Sequence, residues 1–285
     1  MQLAKLLNSV GIHSVGCVNG DTIEILELAT SHYPCLSALL AADDIAATVA
    51  QLPRTGERVF VAEARLLPPI DSQEVWAAGV TYKRSQTARM EESEAAASCY
   101  DRVYRSPRPE IFFKATPHRV RGTGDHLRIR QDATWNVPEP ELALVLSPSL
   151  KIVGFTIGND MSSRDIEGDN PLYLPQAKMY DQCCGLGPWI TLAADMPPRD
   201  EIDISLQITR AGQVVYDQST SVREMARTFE DLVQWLGRDN SFPAGAFLLT
   251  GTGIVPDSDF TLAPADDVSI KISGIGTLRN TIVQG

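Results

Sequence analysis

No stretch of this 285-residue chain is long and apolar enough to read as a bilayer-spanning helix. Basic residues are in the minority. The chain carries 25 Lys and Arg against 36 Asp and Glu, a formal charge of −11, so no basic stripe is at hand to neutralise nucleic-acid phosphates. Cysteine is sparse: Cys17, Cys35, Cys99, Cys183 and Cys184 are odd in number and scattered, which does not make a disulfide framework. Cys183 and Cys184 are adjacent and lack zinc-knuckle spacing, so free thiols in a reducing compartment are expected. The four histidines, His13, His32, His118 and His126, sit beside no motif for a Ser-His-Asp or Cys-His pair. Phosphate-loop and dinucleotide fingerprints are missing. The opening Met1-Gln2-Leu3-Ala4-Lys5 has no secretory apolar stretch, and the expected location is the cytoplasm. What these absences leave is a small-molecule protein with no nucleic-acid or membrane partner.

Hydrophobic residues make up 44% of the chain, enough for one large or two modest domains. Pro68-Pro69 punctuates the sequence, and a boundary near Asp71 divides a small α+β segment, 1–70, from a catalytic segment, 71–285. The first segment predicts strands at Thr22–Leu28 and Val59–Leu67 around a helix at Leu36–Leu52. Beyond the boundary, short apolar or alternating runs bounded by turn residues predict strands. These are Val75–Val80, Ile111–Lys114, Leu127–Arg130, Glu141–Leu146, Ile152–Gly158, Trp189–Leu192, Ile202–Thr209, Phe247–Thr250, Val268–Ile272 and Thr277–Val283. Helices are expected at Ser85–Ala97 and at Ser221–Leu236, where Ser221 and Glu224 have capping-box spacing. Many strands and few helices give a β-dominated α+β fold, not a doubly wound parallel sheet.

The run Pro138-Glu139-Pro140-Glu141 opens an apolar strand, and Asp160 ends the next one. Side chains two apart on a strand share a face, so Glu139 and Glu141 aim together and Asp160 can close the set. No neutralising arginine run is evident around them. Strand-end carboxylates are often only solvated. Here an apolar strand meets an opening, and a hard divalent cation with oxygen ligands is the favoured reading.

Lys178 is flanked by apolar and small residues. From its neighbours alone it is an ordinary surface lysine; desolvated, it would instead accept a proton near neutrality. Glu110 precedes the strand Ile111–Lys114, where an exposed strand-end role is usual, and Lys114 at its far end either binds an anion or snorkels. The turn Thr250-Gly251-Thr252-Gly253 is either a plain tight turn or a cradle for a substrate carboxylate, with the Thr252 hydroxyl as donor.

Taken in order, several stretches resemble the fumarylacetoacetate hydrolase superfamily over about residues 72–285. They are Ala78–Tyr82, Pro109–Lys114, Glu139–Ala143, Gly158–Asp165, Lys178 and Thr250–Gly253. The resemblance implies a mixed β-roll catalytic domain behind a smaller N-terminal domain, assembled as a homodimer or homotetramer. It also implies that Glu139, Glu141 and Asp160 bind Mg²⁺, with Mn²⁺ or Ca²⁺ as alternatives, and that Lys178 is the active-site lysine. One departure is informative. Ser85 stands where hydrolase members carry a water-activating histidine, and a serine hydroxyl does not titrate near neutrality. Glu110 occupies a position that is commonly apolar in those hydrolases.

These departures, together with Asp165–Lys178, resemble the 2-keto-3-deoxy-pentonate dehydratase branch. That resemblance implies loss of the C4 hydroxyl from a 2-keto-3-deoxy acid to give 2,5-dioxopentanoate, with Glu110 and Lys178 as the catalytic pair. Arg84, Ser85, Lys114 and Thr252 are the candidate substrate contacts, and a helix at Ser85–Ala97 would make a lid. The alternatives are an acylpyruvate-type C–C hydrolase, an enzyme that decarboxylates or tautomerises oxaloacetate, and a metal-stabilised binding protein without activity.

Overall fold

A computed structural model describes residues 1–83 and 102–285. The strands are β1 (Gln2–Leu7), β2 (His13–Asn19), β3 (Thr22–Leu26), β4 (Arg54–Phe60), β5 (Arg65–Leu67), β6 (Glu74–Gly79), β7 (Glu110–Ala115), β8 (Val120–Arg121), β9 (His126–Ile129) and β10 (Asn136–Val137). They continue with β11 (Pro140–Leu146), β12 (Ile152–Asp160), β13 (Ser162–Ser163), β14 (Cys184–Leu192), β15 (Asp203–Arg210), β16 (Gln213–Ser221), β17 (Ala246–Leu249), β18 (Asp267–Ile272) and β19 (Gly276–Gln284).

One 12-stranded sheet runs β4-β3-β2-β1-β14-β12-β11-β17-β6-β7, with β5 added on β1 and β8 on β14. Most of its pairings are antiparallel, but β17–β6 and β14–β8 are parallel. A 5-stranded sheet, β16-β15-β18-β19-β9, packs against it. The sequence pattern explains which strands lie where. β11 is an apolar run buried at every position, as a strand covered on both faces must be. In β15, Ile204, Leu206 and Ile208 turn inward while Asp203 and Gln207 face out, the alternation of a strand covered on one face. Each fully buried leucine or isoleucine contributes about 1.5–3 kcal/mol.

Several elements differ from the sequence expectations. Leu36–Leu52 is two helices, Leu36–Leu40 and Ile45–Gln51, because Asp44 leaves the helix to cap the second by accepting from the Ala47 amide (2.9 Å). Val59–Leu67 divides into the end of β4 and β5 across a turn. Ser221 does not cap a helix: its Oγ donates to the Ile202 carbonyl (3.2 Å) and it ends β16. The helix spans only Phe229–Leu236 and is capped by Thr228. β16 itself escapes the apolar pattern, because it is an edge strand exposed along most of its length. The helix expected at Ser85–Ala97 lies outside the described residues.

Candidate active site

β11 and β12 pair antiparallel with Pro140 opposite Asn159 and Glu141 opposite Gly158. The Asp160 amide donates to the Glu139 carbonyl (3.0 Å), which extends the register by one pair. Opposed residues on antiparallel strands share a face, and so do i and i+2. Glu139, Glu141 and Asp160 therefore converge. One carboxylate oxygen from each lies within 4.8 Å of the other two, and all three residues are buried.

Basic groups close around this cluster, and of these the sequence reading anticipated Lys178 but not Arg164. Arg164 is buried and its Nη2 donates to Glu139 Oε1 (2.6 Å). The chain reaches that position because the Arg164 amide donates to the Trp135 carbonyl (2.7 Å) where the helix Arg164–Asp169 starts. Lys178, at the end of the short helix Leu174–Lys178, is only 1% exposed. That overturns the surface-lysine reading. Its Nζ donates to Glu139 Oε2 (2.6 Å), Asp160 Oδ2 (3.1 Å) and Ser162 Oγ (2.6 Å).

Lys114 neither snorkels nor lines the cavity. It is fully buried behind Asp160, pairs with Oδ1 (2.5 Å), and donates to the carbonyls of Met161 (2.9 Å) and Lys178 (2.5 Å). Burial works against its charge, but Asp160 more than offsets this and holds its pKa above that of an ordinary lysine.

Glu141 differs from its two neighbours. It accepts from the Gly251 amide through Oε2 (2.5 Å) and has no cationic partner among the described residues. Burial, then the charges of Asp160 and Glu139, push its carboxyl well above the ordinary range, against the pull of Lys178 and the Gly251 amide. A buried carboxylate of this kind needs a proton or a cation beside it. An all-oxygen set with one such member fits a hard divalent ion.

The cluster opens into a narrow cavity whose wall includes Glu110, Arg164, Glu167, Lys178 and Thr252. Glu110 is the first residue of the edge strand β7. The turn that carries Thr252 is set by Gly251, whose φ of +92° favours glycine. The Thr250 hydroxyl anchors this turn on the Leu142 carbonyl (2.8 Å). The Thr252 hydroxyl donates to the Ile254 carbonyl (3.1 Å) within its own loop. Arg84 and Ser85 lie outside the described residues. Sequence reasoning missed Arg164, Ser162 and Glu167. Their signal was proximity to Asp160 in the run Asp160–Glu167, which puts them on β13 and the helix that follows the strand ending in Asp160.

Comparison with known proteins bears on this geometry. Residues 74–283 match the family model described as fumarylacetoacetate (FAA) hydrolase, C-terminal. The chain is 50% identical over 214 residues to a probable 2-keto-3-deoxyxylonate dehydratase of Haloferax volcanii, covering 75% of this chain and 73% of the relative. It is 45% identical over 219 residues to the 2-dehydro-3-deoxy-D-arabinonate dehydratase of Saccharolobus solfataricus, covering 76% and 74%. A solved structure of 2-keto-3-deoxy-D-arabinonate dehydratase, complexed with magnesium and 2,5-dioxopentanoate, superposes with a TM-score of 0.84 at 36% identity. That match covers 100% of this chain and 99% of the other.

Proposed function

The chain belongs to the fumarylacetoacetate hydrolase family, and within it we propose a Mg²⁺-dependent dehydratase of a 2-keto-3-deoxy sugar acid. The substrate would be of the 2-dehydro-3-deoxy-D-arabinonate type and the product 2,5-dioxopentanoate, the chemistry named for the similar proteins. The observation that carries this reading is that Glu110 and Lys178 line the same cavity as the three carboxylates. Two proton-transfer groups thus face one oxygen-donor cluster, and no histidine stands among the described residues of the wall.

Glu139, Glu141 and Asp160 would hold Mg²⁺, with Mn²⁺ or Ca²⁺ as substitutes. Bound there, the ion would polarise the C2 ketone as a Lewis acid. Lys178, neutral when it acts, takes a proton from C3. Glu110, protonated, gives a proton to the C4 hydroxyl as the C4–O bond breaks and water leaves. The two duties are interchangeable between this pair. Transfer of a proton from C5 to C3 then gives the C4–C5 enol, whose hydroxyl proton passes to C4 to leave the aldehyde, so the net change is loss of one water. Arg164 keeps Glu139 in place, and Lys114 does the same for Asp160. We assign the substrate's carboxylate and hydroxyls to Thr252 and to the sequence candidates Arg84 and Ser85. In keeping with a small soluble substrate, no helix among the described residues is long and apolar enough to cross a membrane. A homodimer or homotetramer in the cytoplasm is the assembly we propose.

The test is turnover of 2-keto-3-deoxy pentonates and hexonates with Mg²⁺, followed by trapping of the aldehyde product. Lys178→Ala and Glu110→Gln should each lower kcat by about 10²–10⁴-fold, the usual contribution of a positioned acid or base. Near-normal dehydration by either variant removes that residue from the pair. Release of pyruvate from acylpyruvates, with no dehydration, would make the protein a C–C hydrolase instead.

A further inference from the structure

Gly79 ends β6 directly opposite Glu110 on β7. A methyl group added at Gly79 would stand 2.0 Å from Glu110 Oε2, 2.7 Å from its Cδ and 3.4 Å from its Cγ. All three nearest atoms belong to that one side chain. The Glu110 side chain therefore folds back over the strand partner and rests its carboxyl where any other residue would carry Cβ. The backbone does not ask for glycine here, because Gly79 is not among the glycines with positive φ. Gly251 is the contrast, since its φ of +92° is itself a reason for glycine. Gly79 and Glu110 both line the cavity that Lys178 and the three carboxylates share.

We propose that Gly79 is a positioning residue whose missing side chain forms the seat for the Glu110 carboxyl and so fixes where that group meets the substrate. This rests on the catalytic role given to Glu110 above. The physical basis is steric. Glu110 is the flexible partner, so a methyl at 79 moves the carboxyl and leaves the strands paired. A displacement of about 1 Å in a reacting group can cost about 10²-fold in rate.

The experiment is a cycle of Gly79→Ala with changes at Glu110, read by kcat, KM, Mg²⁺ dependence and thermal melting. Gly79→Ala should lower kcat roughly 10–100-fold, with the melting temperature and the Mg²⁺ concentration at half activity unchanged. In the Glu110→Ala background, single-turnover rates should show no added loss from Gly79→Ala. In the Glu110→Asp background, where the shorter side chain clears the methyl, the penalty should shrink; this variant also serves if Gly79→Ala alone folds poorly. Wild-type kcat in Gly79→Ala overturns the proposal. So does an equal loss in the Glu110→Ala background, which would mean that the methyl crowds the substrate. The two readings fail separately. An active Glu110→Gln removes the role of Glu110, whereas an inactive Glu110→Gln beside a fully active Gly79→Ala removes only the seat.

Discussion

Glu141 forms no ion pair among the described residues, while Glu139 has Arg164 and Lys178, and Asp160 has Lys178 and Lys114. A neutral amide of the same shape at 141 could still accept from the Gly251 amide. Glu141→Gln is therefore expected to melt no lower than the parent without Mg²⁺, with a gain of roughly 1 kcal/mol within reach. With Mg²⁺ at 100 times Kd, the parent should gain about 2.7 kcal/mol and the variant almost nothing. Paired melting curves check this, and a variant that gains as much as the parent would exclude Glu141 from the ion site. At this scale the three carboxylates were legible, because strand periodicity and one antiparallel register suffice to bring them together. Arg164 and Lys114 were not. Lys114 sits on an edge strand four places from β12 in the sheet and meets Asp160 only because the sheet curls over the site.

At the level of elements, the helix Phe229–Leu236 isolates a single capping bond. The Thr228 side chain accepts from the Asp231 amide (3.1 Å), whereas the better-looking Ser221 of the sequence sits at the end of β16. Thr228→Ala should cost about 1 kcal/mol, and Ser221→Ala should cost no helix capping. Urea unfolding followed by circular dichroism separates them; a loss of helix content from Ser221→Ala would restore the longer helix. The apolar face of this helix was readable because Phe229, Leu232 and Leu236 recur at helical spacing and are buried. Its start was not, because the same periodicity ran back through Val222 and Met225, which belong to a separate turn. The strands around the site were read nearly to their ends. β13 and β14 were exceptions: Ser162–Ser163 was not read as strand, and the first half of β14, Cys184-Gly185-Leu186-Gly187-Pro188, looks like a turn and becomes strand by pairing with β12 and β8.

Across the whole molecule, residues on either side of the proposed boundary near Asp71 are tied together. Lys5 on β1 pairs with Asp71 (2.5 Å), and the Asp71 carboxylate also accepts from the Ser37 amide (2.7 Å). Burial raises the Asp71 pKa, but the Lys5 ammonium and the Ser37 amide outweigh it, so the folded value lies below the ordinary one. A depressed carboxyl pKa stabilises the fold above its unfolded value of about 3.9, and that contribution is lost as pH falls through the folded value. Asp71→Asn should thus cost roughly 1.5–3 kcal/mol at pH 7. The gap from the parent should narrow below about pH 4, which urea titrations at both pH values would read. A gap that is constant with pH would mean that the charge is irrelevant.

β1 lies hydrogen-bonded along β14, and β14 lies beside the strand that ends in Asp160. A chain trimmed of its first three strands would leave the last residues of β14, Ile190 to Leu192, with unanswered amides and carbonyls. Such a margin recruits other chains, so the shortened enzyme should clump, visible as light scattering, while its three buried carboxylates are still in register.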